Sequence, residues 1–205
     1  SETDVNILVT LARALSLEEE RLETEKALKK KATLERMLTQ ISSCAIRFQN
    51  QFDFLQECLT IMGKSLNVGG VFAWEYNAGG AALSNVAEWL SEGMQSQKSR
   101  LQNIPEKEVA WGLDLLWRNK VINYENIEDC PDGREKEIMR ALGLASVLVV
   151  PIFIKEKPFG FIGFETYQEP RKWTDEEIYV LRTAALIIAK AIESKLAEDA
   201  LVQAN

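Results

Sequence analysis

The sequence predicts an α+β fold: a central antiparallel sheet of about five or six strands, a helical bundle on one face, helix and loop segments over the other, and a long N-terminal helix. Three stretches carry this prediction. Ser146 to Glu165, SVLVVPIFIKEKPFGFIGFE, holds two apolar runs, Val147 to Ile154 and Phe159 to Phe164, joined by Lys155-Glu156-Lys157-Pro158. Runs of that length, rich in Val, Ile and Phe, read as a hairpin. Both parities are apolar, with Val147, Val149 and Phe153 on one side and Leu148, Val150, Ile152 and Ile154 on the other, so both sheet faces need cover. Second, Leu17 through Met62 contains no Gly or Pro, and within it Leu34, Leu38, Ile41, Ala45 and Phe48 form a heptad seam. Third, Thr174-Asp175-Glu176-Glu177 is a capping box opening a helix with a seam at Ile178, Leu181, Ala185, Ile188 and Ile192.

In chain order, Leu8, Leu11 and Leu15 mark a short helix or the tail of one. Ser16-Leu17-Glu18-Glu19 matches a capping box and predicts a fresh helix from Leu17; reaching Phe48 it would span roughly 48 Å. Its first half is almost wholly charged. Asn50-Gln51-Phe52-Asp53 marks a break, after which Phe52, Leu55, Leu59 and Met62 continue the spacing. VFAWEYN (71–77) reads as a strand, Asn77-Ala78-Gly79-Gly80 as a turn, and Ala81 to Trp89 as a second strand. Residues 91–104 read as loop. Pro105 opens a helix over Glu106 to Asn119 with Val109, Leu113, Leu116 and Trp117 on one face. VINYEN (121–126) is a strand, and Asp132 caps a short helix ended by Gly143.

Composition narrows the function classes. The chain has 205 residues, 46% hydrophobic and 27% charged, with a net charge of −7: one ordinary globular domain plus extra helix. The acidic balance argues against nucleic acid, and Lys29-Lys30-Lys31, the only basic run, lies among glutamates as a solvated helix face. No apolar run is long enough for a membrane span, so a cytoplasmic location without membrane contact is expected. Cys44, Cys58 and Cys130 are widely spaced and odd in number, which suits a reducing compartment. Histidine is absent, which removes His-paired nucleophiles, His-ligated zinc and haem, and a phospho-accepting histidine within this stretch. Glu125, Glu128, Asp129 and Asp132 match no calcium loop and read as a solvated loop and helix cap.

Trp111 with Leu115-Leu116, then VINYENIEDCP (121–131), ALGLASVLVVPIFIKEKPFGFIGFE (141–165) and RKWTDEEIYVLRTAALIIAKAIE (171–193), resemble the GAF domain of bacterial and archaeal signalling proteins. The likeness spans roughly residues 34 to 195. LETEKALKKKATLERML and AIESKLAEDALVQAN resemble the helices connecting PAS and GAF modules in multi-sensor histidine kinases. The resemblance implies three regions: a signalling helix over 1–33, a GAF sensory domain over 34–195 and the start of a linker helix over 196–205.

It also implies a pocket, with Trp74, Trp89, Trp111, Leu115, Tyr124 and Phe153 on segments that line it; aromatic walls suit a small planar or apolar ligand, and core packing explains them equally well. Cyclic-nucleotide-binding members resemble an Asn-Lys, Phe, Asp-Glu constellation; Asn119-Lys120 and Asp175-Glu176 are present, but the Phe four residues before the acidic pair is missing. Bilin attachment uses a cysteine commonly followed by histidine, whereas Cys130 precedes Pro131, so neither bilin nor haem is expected. Free methionine sulfoxide reductases in the family use clustered cysteines, and here Cys130 stands alone in the pocket-side loop. The expected function is thus a non-catalytic sensor of an unidentified small molecule, relaying to a histidine kinase output through a homodimer. The dimer seam would comprise Leu34, Leu38, Ile41, Ile178, Leu181, Ile188 and Ile192, and adjacent sensor and kinase domains of the same chain would be partners. The alternative is a ligand-free dimerisation and relay spacer.

Overall fold

A single uninterrupted helix, α1 (Glu2–Arg47), opens the chain. The restart expected at Ser16 does not occur. A capping serine satisfies free N–H groups where the chain enters a helix from an extended conformation, and here the preceding residues are already helical, so those groups are bonded within the turn. The computed structural model describes the backbone of residues 2–77 and 82–203, and the side chains of these except 2–5, 7–9, 111 and 203; the turn expected at Asn77 to Gly80 thus falls largely outside the described residues. The chain divides into two units, Ser1–Arg36 and Met37–Asn205. In the first, residues 10–29 are all exposed, and their charges pair along the helix, Arg21 with Glu18 at 2.5 Å and Lys29 with Glu25 at 2.6 Å. Exposed pairs of this kind are screened by solvent and contribute little to stability.

In the second unit the break expected near residue 50 is present. Asn50 caps α2 (Gln51–Leu66), its side-chain oxygen accepting from the Asp53 N–H at 3.1 Å, and Asn67 closes it at φ 51°. Six strands follow: β1 (Gly70–Tyr76), β2 (Ala82–Leu90), β3 (Ile104–Pro105), then, after α3 (Ala110–Trp117), β4 (Ile122–Tyr124), and after α4 (Arg134–Ala141) the hairpin β5 (Ser146–Ile154) and β6 (Lys157–Thr166). The sheet is antiparallel throughout, in the order β3-β2-β1-β6-β5-β4. The last helix, α5 (Asp175–Gln203), completes the α+β architecture.

Two further helix starts differ from expectation. Pro105 belongs to β3, and a 3-10 turn over Glu106–Glu108 precedes α3, which is therefore shorter than predicted. Asp132 does not cap α4; its carboxylate accepts from Lys136 Nζ at 3.1 Å, and Gly133 occupies the cap without a side-chain bond.

The hairpin sits mid-sheet, covered on both faces. Leu148, Val150, Ile152, Ile162 and Phe164 are buried beneath the helical layer, where α5 packs on β5 and α2 on β1 and β2. Val147 and Val149 face the other way, into a cluster with Leu83, Leu113, Leu116 and Ile122. Leu34, Ile41, Leu181, Ile188 and Ile192 are buried within the single chain, and Leu38 and Ile178 are half-buried. A heptad spacing states only that one face of a helix is apolar, and in the second unit Ile41, Leu181, Ile188 and Ile192 are buried within the single chain.

Candidate functional site

A cavity of about 570 Å³ lies on the sheet face opposite α5, within the range of small-molecule sites. Its floor is built from alternate strand residues. Phe72 and Trp74 come from β1, Phe161 and Glu165 from β6, Val147 and Val149 from β5, and Ile122 and Tyr124 from β4. Leu113 and Leu116 of α3 and Ile138 and Met139 of α4 form one wall, and the loop through Met94, Arg100 and Leu101 forms another. That loop is held against β2 by the Asn85 N–H, which donates to the Leu101 carbonyl at 2.9 Å, and by Gln102 Nε2, which donates to the Asn85 carbonyl at 2.8 Å.

A bulge decides the cavity's polarity. The β1–β2 register steps from Ala73↔Ala87 to Trp74↔Asn85, skipping Val86. One extra residue reverses side-chain parity, so Asn85 and Glu88 both line the cavity. Asn85 is 2% exposed, and among the described residues its Oδ1 lacks a hydrogen-bond partner. Leaving such a group unpaired costs about 1–3 kcal/mol. Glu165 is 8% exposed and accepts from the Tyr167 hydroxyl at 2.6 Å. Burial pushes its carboxyl up to about 7, the Tyr167 bond opposes that shift, and the Glu88 charge adds to it. Burial likewise pushes the Tyr124 hydroxyl up to about 12.

The six ligand-site expectations separate on this geometry. Trp74 and Tyr124 line the cavity. Trp89 does not: it pairs with Val71, and a Cβ on Gly63 of α2 would lie 1.9 Å from its ring, so it packs under the helical layer. Phe153 lies past a register shift after Ile152 and lines a separate small hollow at the far end of the hairpin, with Trp117 and Pro158. Leu115 is half-buried and packs on the apolar cluster rather than on the cavity. Trp111 lies outside the described side chains. Asn85, Glu88, Glu165 and Tyr167 escaped sequence reasoning, although a glutamate ending the apolar run GFIGFE was the available signal.

The cysteines are buried. Burial raises the Cys44, Cys58 and Cys130 thiols above their ordinary range, which suppresses the thiolate that redox chemistry needs. Among the described residues no group of three or more His, Cys, Asp or Glu is arranged to hold a metal. Glu128 is paired with Arg140 and Asp132 with Lys136. No described helix is long and apolar enough to cross a membrane.

Residues 53–192 match the GAF domain family. This chain belongs to the GAF domain family. The GAF domain is also 28% identical over 155 residues to the methanogenesis regulatory histidine kinase FilI of Methanothrix harundinacea (strain 6Ac), a match covering 73% of this chain and 17% of that protein. The chain therefore spans about 17% of the length of the curated relative it matches.

Solved structures share the fold. The blue-light absorbing form of the Thermosynechococcus elongatus PixJ GAF domain superposes with a TM-score of 0.66 at 17% identity, covering 75% of this chain and 91% of that one. A phycocyanobilin-bound GAF domain from a cyanobacterial phytochrome gives 0.66 at 19%, covering 82% and 96%. A domain of a putative two-component sensor histidine kinase protein from Sinorhizobium meliloti 1021 gives 0.60 at 22%, covering 76% and 99%. At these identities the likeness speaks for fold alone. Cys130 is not among the residues lining this cavity.

Proposed function

We propose that this GAF domain is a non-catalytic sensory module that binds a small molecule in the cavity over the sheet and passes its occupancy to α5, and through it to a histidine kinase output in a longer chain. The observation that carries the reading is the cavity itself: about 570 Å³, walled by apolar and aromatic groups, with the unpaired Asn85 Oδ1 and the buried Glu165 carboxyl on its floor. The 28% identity to a regulatory histidine kinase supports the output assignment.

A physical route runs from floor to helix. Tyr124 lines the cavity, and the carbonyl of the next residue, Glu125, accepts from the Arg171 N–H at 3.2 Å. The Arg171 guanidinium donates to the Leu66 carbonyl at 2.8 Å and to Glu177 in the first turn of α5 at 2.8 Å. A ligand that prefers one position of the Tyr124 segment biases the start of α5 by its differential affinity, and by no more than that.

The test is a thermal-shift panel of nucleotides and metabolites on the purified protein, repeated with Leu116→Trp to fill the cavity. A ligand at a hundred times its Kd adds about 2.7 kcal/mol, which at this chain length raises Tm by roughly 5–10 °C. At least one compound stabilises the parent and not the filled variant on this reading. Absence of any shift across a broad panel would establish the ligand-free relay spacer instead.

A further inference from the structure

Resting on the cavity as the ligand site, the geometry points to a ligand class: a small molecule with a planar apolar body and a cationic amine head, the head received between Asn85, Glu88 and Glu165. The polar groups on that part of the floor are acceptors. Asn85 Oδ1 has no partner among the described residues, and its orientation is set by Nδ2, which points to a Glu88 carboxylate oxygen at 3.5 Å; reversing the amide would place two oxygens face to face. Glu165 receives the Tyr167 hydroxyl on one oxygen, and a carboxylate has capacity for further donors. Burial is the main cause that hinders ionisation of Glu165, and the Glu88 charge adds a smaller effect in the same direction.

An anionic head would meet two carboxylates there. The cavity's two cations, Arg100 and Arg134, are both exposed, and Arg134 is bonded to Glu137 at 3.3 Å. An ammonium head satisfies the unpaired amide oxygen and relieves the repulsion between Glu88 and Glu165 in one step. The body is specified by Trp74 and Phe161, stacked at 5.8 Å with 16° between planes, which present an extended aromatic surface beside the aliphatic Val149.

Burial pushes the Glu165 carboxyl up to about 7, and the other ionisable groups lining the same cavity are Glu88, Glu108, Glu135, Arg100, Arg134, Tyr124 and Tyr167. A cation selects the ionised carboxylate, so its affinity rises as the pH climbs through about 7.

The experiment uses matched probes: phenyl-, naphthyl- and indolyl-ethylamines, the corresponding ethanols, and the corresponding acetates. Binding is followed by 1H–15N NMR through the Asn85 side-chain amide and the Trp74 indole at pH 6 and 8. Amines should bind about tenfold or more tightly than their ethanols at pH 8, with the advantage shrinking at pH 6. Glu165→Gln, and independently Glu88→Gln should the first variant fold poorly, should reduce it at least severalfold. Ethanols or acetates moving the same signals as tightly as the amines, or an amine advantage unchanged in both variants, would overturn the inference while leaving the cavity as the site. Cavity signals unmoved by every probe would overturn the ligand class where the metabolite panel does stabilise the protein, and the cavity reading as well where it does not.

Discussion

Glu165 is the residue on which the domain's pH response turns. Its carboxyl titrates near 7 when folded against an ordinary value of 4.5, because nine-tenths of its surface is removed from water and Glu88 repels its charge. The folded state therefore holds a proton that the unfolded chain has already released between those values, and stability falls as pH rises from about 4.5 to 7. The shift corresponds to a loss on the order of 3 kcal/mol across that window. Glu165→Gln should flatten the curve and leave the protein more stable than the parent at pH 8 by a similar order. Urea denaturation at pH 5, 6, 7 and 8 measures both, and a parent whose stability rises over that range would contradict the assignment.

Among the elements, the hairpin and α5 carry separable predictions. Lys155 and Glu156 form the two-residue turn between β5 and β6 at φ 50° and 63°, a conformation that favours Asn-Gly. Lys155→Asn with Glu156→Gly should raise stability by about 1 kcal/mol, read as a shifted urea midpoint at constant m. The capping box of α5 forms as its sequence requires: Glu177 accepts from the Thr174 N–H at 2.9 Å, and Thr174 Oγ1 accepts from the Glu177 N–H at 3.3 Å. Thr174→Ala should cost about 1 kcal/mol. Glu177→Ala should cost more, about 3 kcal/mol, because it also strips Arg171 of its buried carboxylate partner. Equal losses in the two variants would mean that the Arg171 link contributes nothing.

For the whole molecule, α5 has one buried face and one exposed face. Leu181 and Ile188 belong to the core, so Ile188→Ala should lower stability by about 2–5 kcal/mol whatever the oligomeric state. We propose that a homodimer, if formed through α5, uses the exposed Tyr179 and Leu186, seven residues apart at 71% and 58% exposure. Sedimentation at micromolar concentration should give a dimer for the parent and a monomer for Tyr179→Glu with Leu186→Glu, with little change in Tm. A monomeric parent would refute the dimer.

What the sequence determined by itself is local. Apolar runs on both parities specified a hairpin covered on both faces, the Thr174 box specified the start of α5, and the Asn50 region specified the end of α1, because each depends on bonds and packing within a few residues. Those patterns were specific enough to place the family. What only the tertiary structure decided depends on register and on partners distant in sequence. The skipped Val86 turned Asn85 and Glu88 together onto the cavity floor, and the face of β2 that Trp89 occupies was settled by its contact with Gly63, 26 positions earlier. Glu165 acquired its raised pKa from burial that no local pattern records. The heptad seam shows the limit most plainly: spacing identified the apolar faces of the helices, and only packing decided that they would be covered by the chain's own core.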